Sequence, residues 1–300
     1  MSASRQTRSF LLRRFEEVGI RPKTRHGQNF LIDQNLLDLL FRTAEIDERD
    51  VVLEVGTGLG SLTALLAREA AAVVTVEVDH QIHQLAAEEL AGCHNVTMLL
   101  LDALRNKNNF SPVVLEMVAA KLAESPDRRF KLAANLPYNI ATPIISNALA
   151  LDRAPCLMAV TIQKELADRI TASPNSKDYG ALTAWVQSQC NATVVRVMNP
   201  TVFWPRPKVH SAIVRIELDE ARRAAIPDLA FWHQFCREIF FHRRKFLRGV
   251  AQSAFKERLS KPEVDEVLAS RELGPQARTE QLSVDDLLAL GEAFRQKLAA

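Results

Sequence analysis

A short apolar run, Val51–Val55, broken only by Glu54, stops at Gly56-Thr57-Gly58-Leu59-Gly60, and a stretch with helical spacing (Ser61, then Leu62, Leu65 and Leu66) follows at once. Few backbones satisfy that order. A brief apolar run closed by glycine reads as a buried parallel strand. Glycine lets the chain turn tightly and lets a ligand approach the backbone. The same pattern recurs downstream: Val73–Val78 ends around Glu77 and Asp79, Val96–Leu101 ends at Asp102, Phe130–Ala134 ends at Asn135, and Leu157–Gln163 is a further strand. Helices are predicted between them, among them one over Pro143–Leu149. Another precedes the first strand, capped by Asp33 and carrying Leu36, Leu37, Leu40, Phe41 and Ala44 on one face. Alternating strands and helices imply an α/β fold, a parallel sheet wound on both faces.

Val194–Val197 and Ile213–Leu218 read as late strands, a hairpin across Phe203-Trp204-Pro205-Arg206-Pro207-Lys208. Residues 105–129 read as a polar, helical connection with no motif. Beyond about residue 219 the pattern is wholly helical: Phe231, Phe235 and Ile239 share a face, and Ser283 with Asp286 begins a helix carrying Leu287, Leu290, Phe294 and Leu298. The expected division is an α/β domain over 1–218, with a basic N-terminal segment, and a smaller all-helical domain over 219–300.

Composition excludes several classes. An apolar fraction of 47% in 300 residues supports a sizeable core, and 25% charged residues argue against a fibrous or disordered chain. Cys93, Cys156, Cys190 and Cys236 are scattered without Cys-x-x-Cys spacing, and the histidines show no ligand spacing, so no metal site is expected. Thiols so placed fit a reducing cytoplasm. No run reaches the ~18 apolar residues that span a bilayer, and the basic N-terminus has no apolar signal core. The net charge of +2 is uninformative, but its distribution is not. Arg5, Arg8, Arg13, Arg14, Arg21, Lys23 and Arg25 face only Glu16 and Glu17 before Gly27, and Arg243, Arg244, Lys245 and Arg248 form a second cluster. Clusters of one sign are what a nucleic-acid footprint requires, although a solvated terminus and an exposed helix would look alike.

Glu77, Asp102 and Asn135 all fall at the carboxyl ends of strands, the edge where open α/β sheets bind ligands. The glycine turn lacks the third dinucleotide glycine, because Ser61 occupies that position. The spacing Gly56, Gly58, Gly60 instead suits a cofactor without a pyrophosphate. Glu77 is placed to accept from both ribose hydroxyls and to repel a 2′-phosphate, and Asp102 to accept from an adenine amine. A helix cap is the plainer reading of Asp102.

Asn135-Leu136-Pro137-Tyr138 supplies what a flat, amine-bearing base needs. The Asn135 side-chain oxygen and the Leu136 carbonyl, held by the rigid Pro137, can each accept from an exocyclic amine, and Tyr138 can stack on the ring. With the glycine turn upstream, these residues suggest methyl transfer from S-adenosylmethionine to that amine. A target base must be unstacked to enter such a pocket. Phe203, in a loop stiffened by Pro205 and Pro207, is placed to cover its other face.

The chain resembles the small-subunit ribosomal RNA adenine dimethyltransferases, the KsgA/RsmA family, from about Lys23 to its C-terminus. The matching segments are His26-Gly-Gln-Asn-Phe-Leu31, Leu53-Glu-Val-Gly-Thr-Gly58, Val76-Glu-Val-Asp79, Asn135-Leu-Pro-Tyr-Asn139, Pro174-Asn-Ser-Lys-Asp-Tyr-Gly180, Phe203 to Ser211 and Arg243-Arg-Lys245. The resemblance implies a Rossmann-like S-adenosylmethionine-dependent methyltransferase sheet with a helical C-terminal domain that recognises rRNA. It implies that Gln28, Asn29 and Leu31 line the cofactor site beside Gly56, Glu77, Asp102 and Asn135, and that Tyr138 and Phe203 sandwich the adenine. It further implies dimethylation of two adjacent adenosines in a hairpin loop near the 3′ end of 16S rRNA, inside an assembling 30S subunit, by a cytoplasmic monomer. Arg206, Lys208, Arg243, Arg244, Lys245 and Arg248 are the expected RNA contacts, with Arg237, Arg244 and Arg248 on one helical stripe. Thr57 departs from the family's usual proline, and the 105–129 connection is longer than usual. Alternatives are a resistance-type methyltransferase acting on a large-subunit rRNA adenine and a non-catalytic assembly or transcription factor. A methyltransferase acting on DNA or small amines is disfavoured by the basic flanks.

Overall fold

The computed structural model describes residues 13–15, 28–242 and 245–299. In chain order its strands are β1 (Phe30–Leu31), β2 (Asp50–Val55), β3 (Ala72–Glu77), β4 (Val96–Leu100), β5 (Leu104–Asn106), β6 (Asn109–Phe110), β7 (Arg129–Asn135), β8 (Leu157–Gln163), β9 (Cys190–Met198), β10 (Phe203–Trp204) and β11 (Ser211–Leu218). The helices are α1 (Gln34–Thr43), α2 (Ser61–Glu69), α3 (His80–Glu89), α4 (Pro112–Ala123), α5 (Ala141–Leu149), α6 (Lys164–Ile170), α7 (Ala181–Gln187), α8 (Glu220–Ala224), α9 (Leu229–Ile239), α10 (Leu247–Ala254), α11 (Lys261–Ser270) and α12 (Val284–Ala299).

Seven strands form one sheet in the order β4-β3-β2-β7-β8-β11-β9. β4, β3, β2, β7 and β8 are mutually parallel, and β11 runs antiparallel to β8. Every residue of β2 and β3 is buried, as strands covered on both faces must be. Asp33 caps α1 as the sequence predicts, its carboxylate accepting from the amides of Asn35 and Leu36. The connection after β4 is less featureless than expected. It contains the β5–β6 hairpin and then α4, which begins at Pro112.

The two ends of the sheet treat their polar residues differently. At the amino end, buried Asp50 is paired with Lys131 at 2.9 Å and with Arg129 at 2.9 Å. These charges satisfy one another and face no ligand space. At the carboxyl end the polar residues line a cavity, described below.

The chain divides into two compact units. Residues 1–167 and 193–217 form one, and 168–192 with 218–300 form the other. The sequence predicts a single cut near 218; in this grouping 168–192 go with the later helices. That segment belongs with the later helices because its large side chains are buried among them. Trp232 Nε1 donates to Ser188 Oγ at 2.8 Å, the Tyr179 hydroxyl donates to the Leu282 carbonyl at 2.8 Å, and Trp185 stacks on His233. Phe235, Phe255 and Phe294 fill the centre of this unit.

Candidate active site

The glycine turn is a cradle that side chains fit poorly. Gly56, Gly58 and Gly60 have φ of +88°, +56° and +82°, in the left-handed region that costs other residues about 1–2 kcal/mol each. A Cβ on Gly56 would lie 3.3 Å from Pro137 Cδ, and one on Gly58 would lie 3.4 Å from the Phe30 ring. The two signature motifs therefore touch: Pro137 of the Asn-Leu-Pro-Tyr segment sits against the first glycine. Gly60 does a different job from the one expected of it. It lies outside the cavity lining, caps α2, and would press a Cβ onto Leu90 at 3.1 Å.

Gln28, Asn29, Leu31, Gly56, Gly58, Glu77, Asp102, Asn135, Leu136 and Pro137 line one cavity at the carboxyl edge. Glu77 ends β3 with its carboxylate fixed by backbone donors. One oxygen accepts from Gly58 N at 3.2 Å, the other from the amides of Val78 and Asp79 at 3.0 Å each. Its pKa is raised, first by burial, although those three amides oppose the shift. Asp102 accepts from the Leu104 amide at 2.9 Å and opens the β5–β6 hairpin. It caps no helix.

Sequence reasoning missed Glu54. This residue is buried on β2 and borders the same cavity. One of its oxygens accepts from Thr63 Oγ1 at 2.6 Å and from Thr75 Oγ1 at 2.7 Å. With that hydrogen spent, the hydroxyl of Thr57 serves as donor to Thr75, at 2.7 Å. The residue that departs from the family pattern is thus tied into the floor of the turn. Burial pushes the Glu54 pKa up to about 8, the nearby charge of Glu77 adds to the shift, and the two threonine hydroxyls oppose it. The signal was visible as an acid inside an apolar strand.

Asn135 ends β7, and its amide Nδ2 donates to the Asn29 carbonyl at 2.8 Å. A carbonyl can only accept, so this bond fixes which end of the amide is nitrogen. The oxygen Oδ1 and the Leu136 carbonyl take no protein donor among the described residues. The Leu136 amide donates to the Thr161 carbonyl at 3.1 Å, and the Ile140 amide to that of Pro137 at 3.1 Å. The loop thus spends the Asn135 and Leu136 donors on the protein and keeps two acceptors.

The aromatic sandwich is corrected. Phe203 is 2% exposed, in the core cluster with Leu31, Met198 and Ile213. The reason is register: β10 pairs with β1, Leu31 opposite Phe203, and both side chains turn inward. Trp204, the next residue, packs with Phe15 and Phe30 at centroid distances of 5.2 and 6.4 Å. Tyr138, the last residue of the loop, is half-buried and outside the cavity lining, its hydroxyl bonded to Ser211.

Among the expected RNA contacts, Arg206, Lys208 and Lys245 are exposed. Arg243 and Arg244 lie outside the described residues. Of the expected stripe, Arg237 and Arg248 fall on separate helices, because α9 ends at Ile239 and α10 starts at Leu247. Arg248 is engaged by Asp265 through two bonds of 2.6 and 2.7 Å. That pair is exposed and screened by solvent, so it holds the arginine only weakly.

Residues 19–295 match the family described as ribosomal RNA adenine dimethylase. The chain belongs to that family. Two relatives carry the name ribosomal RNA small subunit methyltransferase A. The protein of Lactiplantibacillus plantarum is 40% identical over 281 residues, 93% of this chain and 92% of the relative. That of Lactococcus lactis is 36% identical over 272 residues, 91% of this chain and 90% of the relative. Among solved structures, a dimethyladenosine transferase from Plasmodium falciparum superposes with a TM-score of 0.74 at 24% identity, covering 88% of this chain and 97% of that one. The 23S rRNA methyltransferase ErmE does so with 0.59 at 22% identity, covering 89% and 100%. At those identities the likeness is one of fold. The adenine dimethylase family places the chain among methyl-transferring enzymes with a Rossmann-like sheet. Among the described residues no helix is long and apolar enough to cross a membrane, and no cluster of ligating side chains could hold a metal.

Proposed function

We propose that this chain methylates N6 of two adjacent adenosines in the 3′-terminal hairpin loop of 16S rRNA, within an assembling 30S subunit and as a monomer. The observation that carries the reading is the orientation of the Asn135 amide. Its nitrogen is spent on Asn29, and its oxygen stands free beside the Leu136 carbonyl, next to the glycine cradle. A pair of adjacent acceptors suits a group that carries two N–H donors, as an exocyclic amine does. The name shared by the bacterial relatives supports the small-subunit target.

The cavity fits S-adenosylmethionine. Glycines at 56 and 58 leave the backbone bare at positive φ, where other residues are strained, and Glu77 presents a fixed carboxylate for ribose hydroxyls. Gln28, Asn29, Leu31 and Asp102 complete the holding set. When bound, this cofactor supplies a methyl group already activated on a sulfonium. The protein's task is then the amine, whose lone pair is delocalised into the purine ring. Two acceptors on its hydrogens favour a tetrahedral nitrogen and free the lone pair for attack. No strong base is required, because the proton grows acidic as nitrogen gains its new bond. Tyr138 steadies the unstacked base, an interaction worth about 1–3 kcal/mol. Positioning of this kind can lower a barrier by roughly 7–11 kcal/mol. Arg206, Lys208 and Lys245 supply phosphate attraction.

The test is mass mapping of N6-methyl groups after incubation with 30S or 50S particles and labelled cofactor. Two adjacent dimethyladenosines in 30S RNA are expected. Methylation confined to 50S RNA would favour the large-subunit reading, and cofactor binding without transfer would favour an assembly factor. Glu77→Ala is expected to weaken cofactor binding about tenfold or more, through removal of charge-assisted hydrogen bonds, while RNA affinity holds. Equal losses of both would contradict the role given to Glu77.

A further inference from the structure

Tyr138 is anchored at its far end. Its hydroxyl hydrogen-bonds the hydroxyl of Ser211, and neither hydroxyl has another protein partner among the described residues. Ser211 is fully buried, begins β11, and stands opposite Gln163 of β8. The loop from Asn135 to Tyr138 is therefore pinned across three neighbouring strands. Asn135 ends β7, the Leu136 amide donates to Thr161 of β8, and Tyr138 closes on β11.

A ring alone suffices for stacking, and a phenylalanine would provide one. The phenol oxygen adds a fixed end. A buried hydroxyl stripped of its partner keeps its desolvation cost, so the two hydroxyls hold each other and the ring cannot swing freely. Ser211 also directly follows the exposed stretch that carries Arg206, Lys208 and His210. One strand end thus fixes both the aromatic ring and the root of the basic loop. Ser211 itself lies outside the lining of the cofactor cavity.

We infer that Ser211 is a positioning residue for methyl transfer, which sets the plane of the Tyr138 ring against the target base through the phenol hydroxyl while touching neither RNA nor cofactor. The inference rests on the base-stacking reading of Tyr138 given above.

The experiment compares single-turnover methylation of 30S particles by wild type, Ser211→Ala, Tyr138→Phe, their double variant, Ser211→Thr and Tyr138→Ala. Calorimetric S-adenosylhomocysteine affinity and Tm are measured alongside. Ser211→Ala and Tyr138→Phe are each expected to slow transfer about tenfold, a modest share of what misplacing a reacting group can cost. Affinity for 30S particles and for S-adenosylhomocysteine should stay within about twofold, well under the tenfold step that 1.4 kcal/mol of binding energy represents. The double variant should be no slower than either single one, and Ser211→Thr, which keeps a hydroxyl, should recover most of the rate. A folded Ser211→Ala enzyme with the wild-type rate overturns the inference, as does a double variant whose losses multiply. If Ser211→Ala does not fold, Tyr138→Phe decides: a normal rate there sinks the inference. Tyr138→Ala separates the two layers. If it leaves transfer unchanged, the stacking reading itself fails; if it slows transfer while Ser211→Ala does not, only the role of Ser211 falls.

Discussion

The two ends of the Asn135 amide are used differently. Nδ2 is spent within the protein, on the Asn29 carbonyl, and Oδ1 takes no protein donor among the described residues, which leaves it for the proposed amine. Asn135→Ala removes both. Transfer is expected to fall by about a hundredfold or more, the scale on which a misplaced reacting group slows a reaction. Tm should shift by only a few degrees, because the site is half-buried rather than in the core. An active Asn135→Ala enzyme in the single-turnover assay would refute the assignment. Glu54 offers a separate test by titration. Its pKa is about 8 in the folded protein against 4.5 for an unperturbed side chain. The folded state therefore binds the extra proton between those values, and stability linked to Glu54 is complete below pH 4.5 and declines as pH rises toward 8. The slope can reach at most about 1.4 kcal/mol per pH unit. Glu54→Gln mimics the protonated acid and should flatten that decline. Denaturant midpoints followed across this pH window would show it; parallel curves for the two proteins would contradict it.

At the scale of elements, the site is a meeting of ends. β2 ends in the glycine cradle, β3 in Glu77, β7 in Asn135, and the chain entering β1 brings Asn29 and Phe30 to the same cavity. The two signature turns are coupled through Gly56 and Pro137. Gly56→Ala would place a methyl 3.3 Å from Pro137 Cδ in a backbone with φ of +88°. It should cost about 1–2 kcal/mol in stability. It should also lower turnover and cofactor affinity together, because one substitution displaces both the cradle and the Asn135 loop. Unfolding curves with calorimetry would check this, and loss of affinity alone would show the two turns to be independent.

At the scale of the molecule, the division at residues 168–192 matters most. These residues supply Tyr179, Trp185 and Ser188 to the second unit, although in chain order they fall between strands of the first. A truncation after residue 218 removes their partners and exposes their apolar side chains. That fragment is expected to aggregate or to lose helical signal beyond the deleted portion, read by size exclusion and circular dichroism. A monomeric, cofactor-binding fragment would count against the division. Salt is the second whole-molecule probe. Arg206→Ala with Lys208→Ala should reduce the slope of log affinity against log salt by roughly 0.7–0.9 for each phosphate no longer neutralised.

Strand order along the chain, the glycine cradle, the edge carrying Glu77, Asp102 and Asn135, and the cap at Asp33 were all legible in the sequence. Each depends on short-range spacing, and spacing is what a sequence records directly. The helical segment at 168–192, the break between α9 and α10, the inward turn of Phe203 and the anchoring of Tyr138 were not. Three of these are settled by a partner distant in the chain: Leu282 for Tyr179, Leu31 for Phe203, Ser211 for Tyr138. A phenylalanine in a proline-stiffened loop reads as an exposed platform until the pairing of two short strands turns it toward the core. Local chemistry named the groups that can meet an amine; only the tertiary fold decided which of their atoms remain unspent.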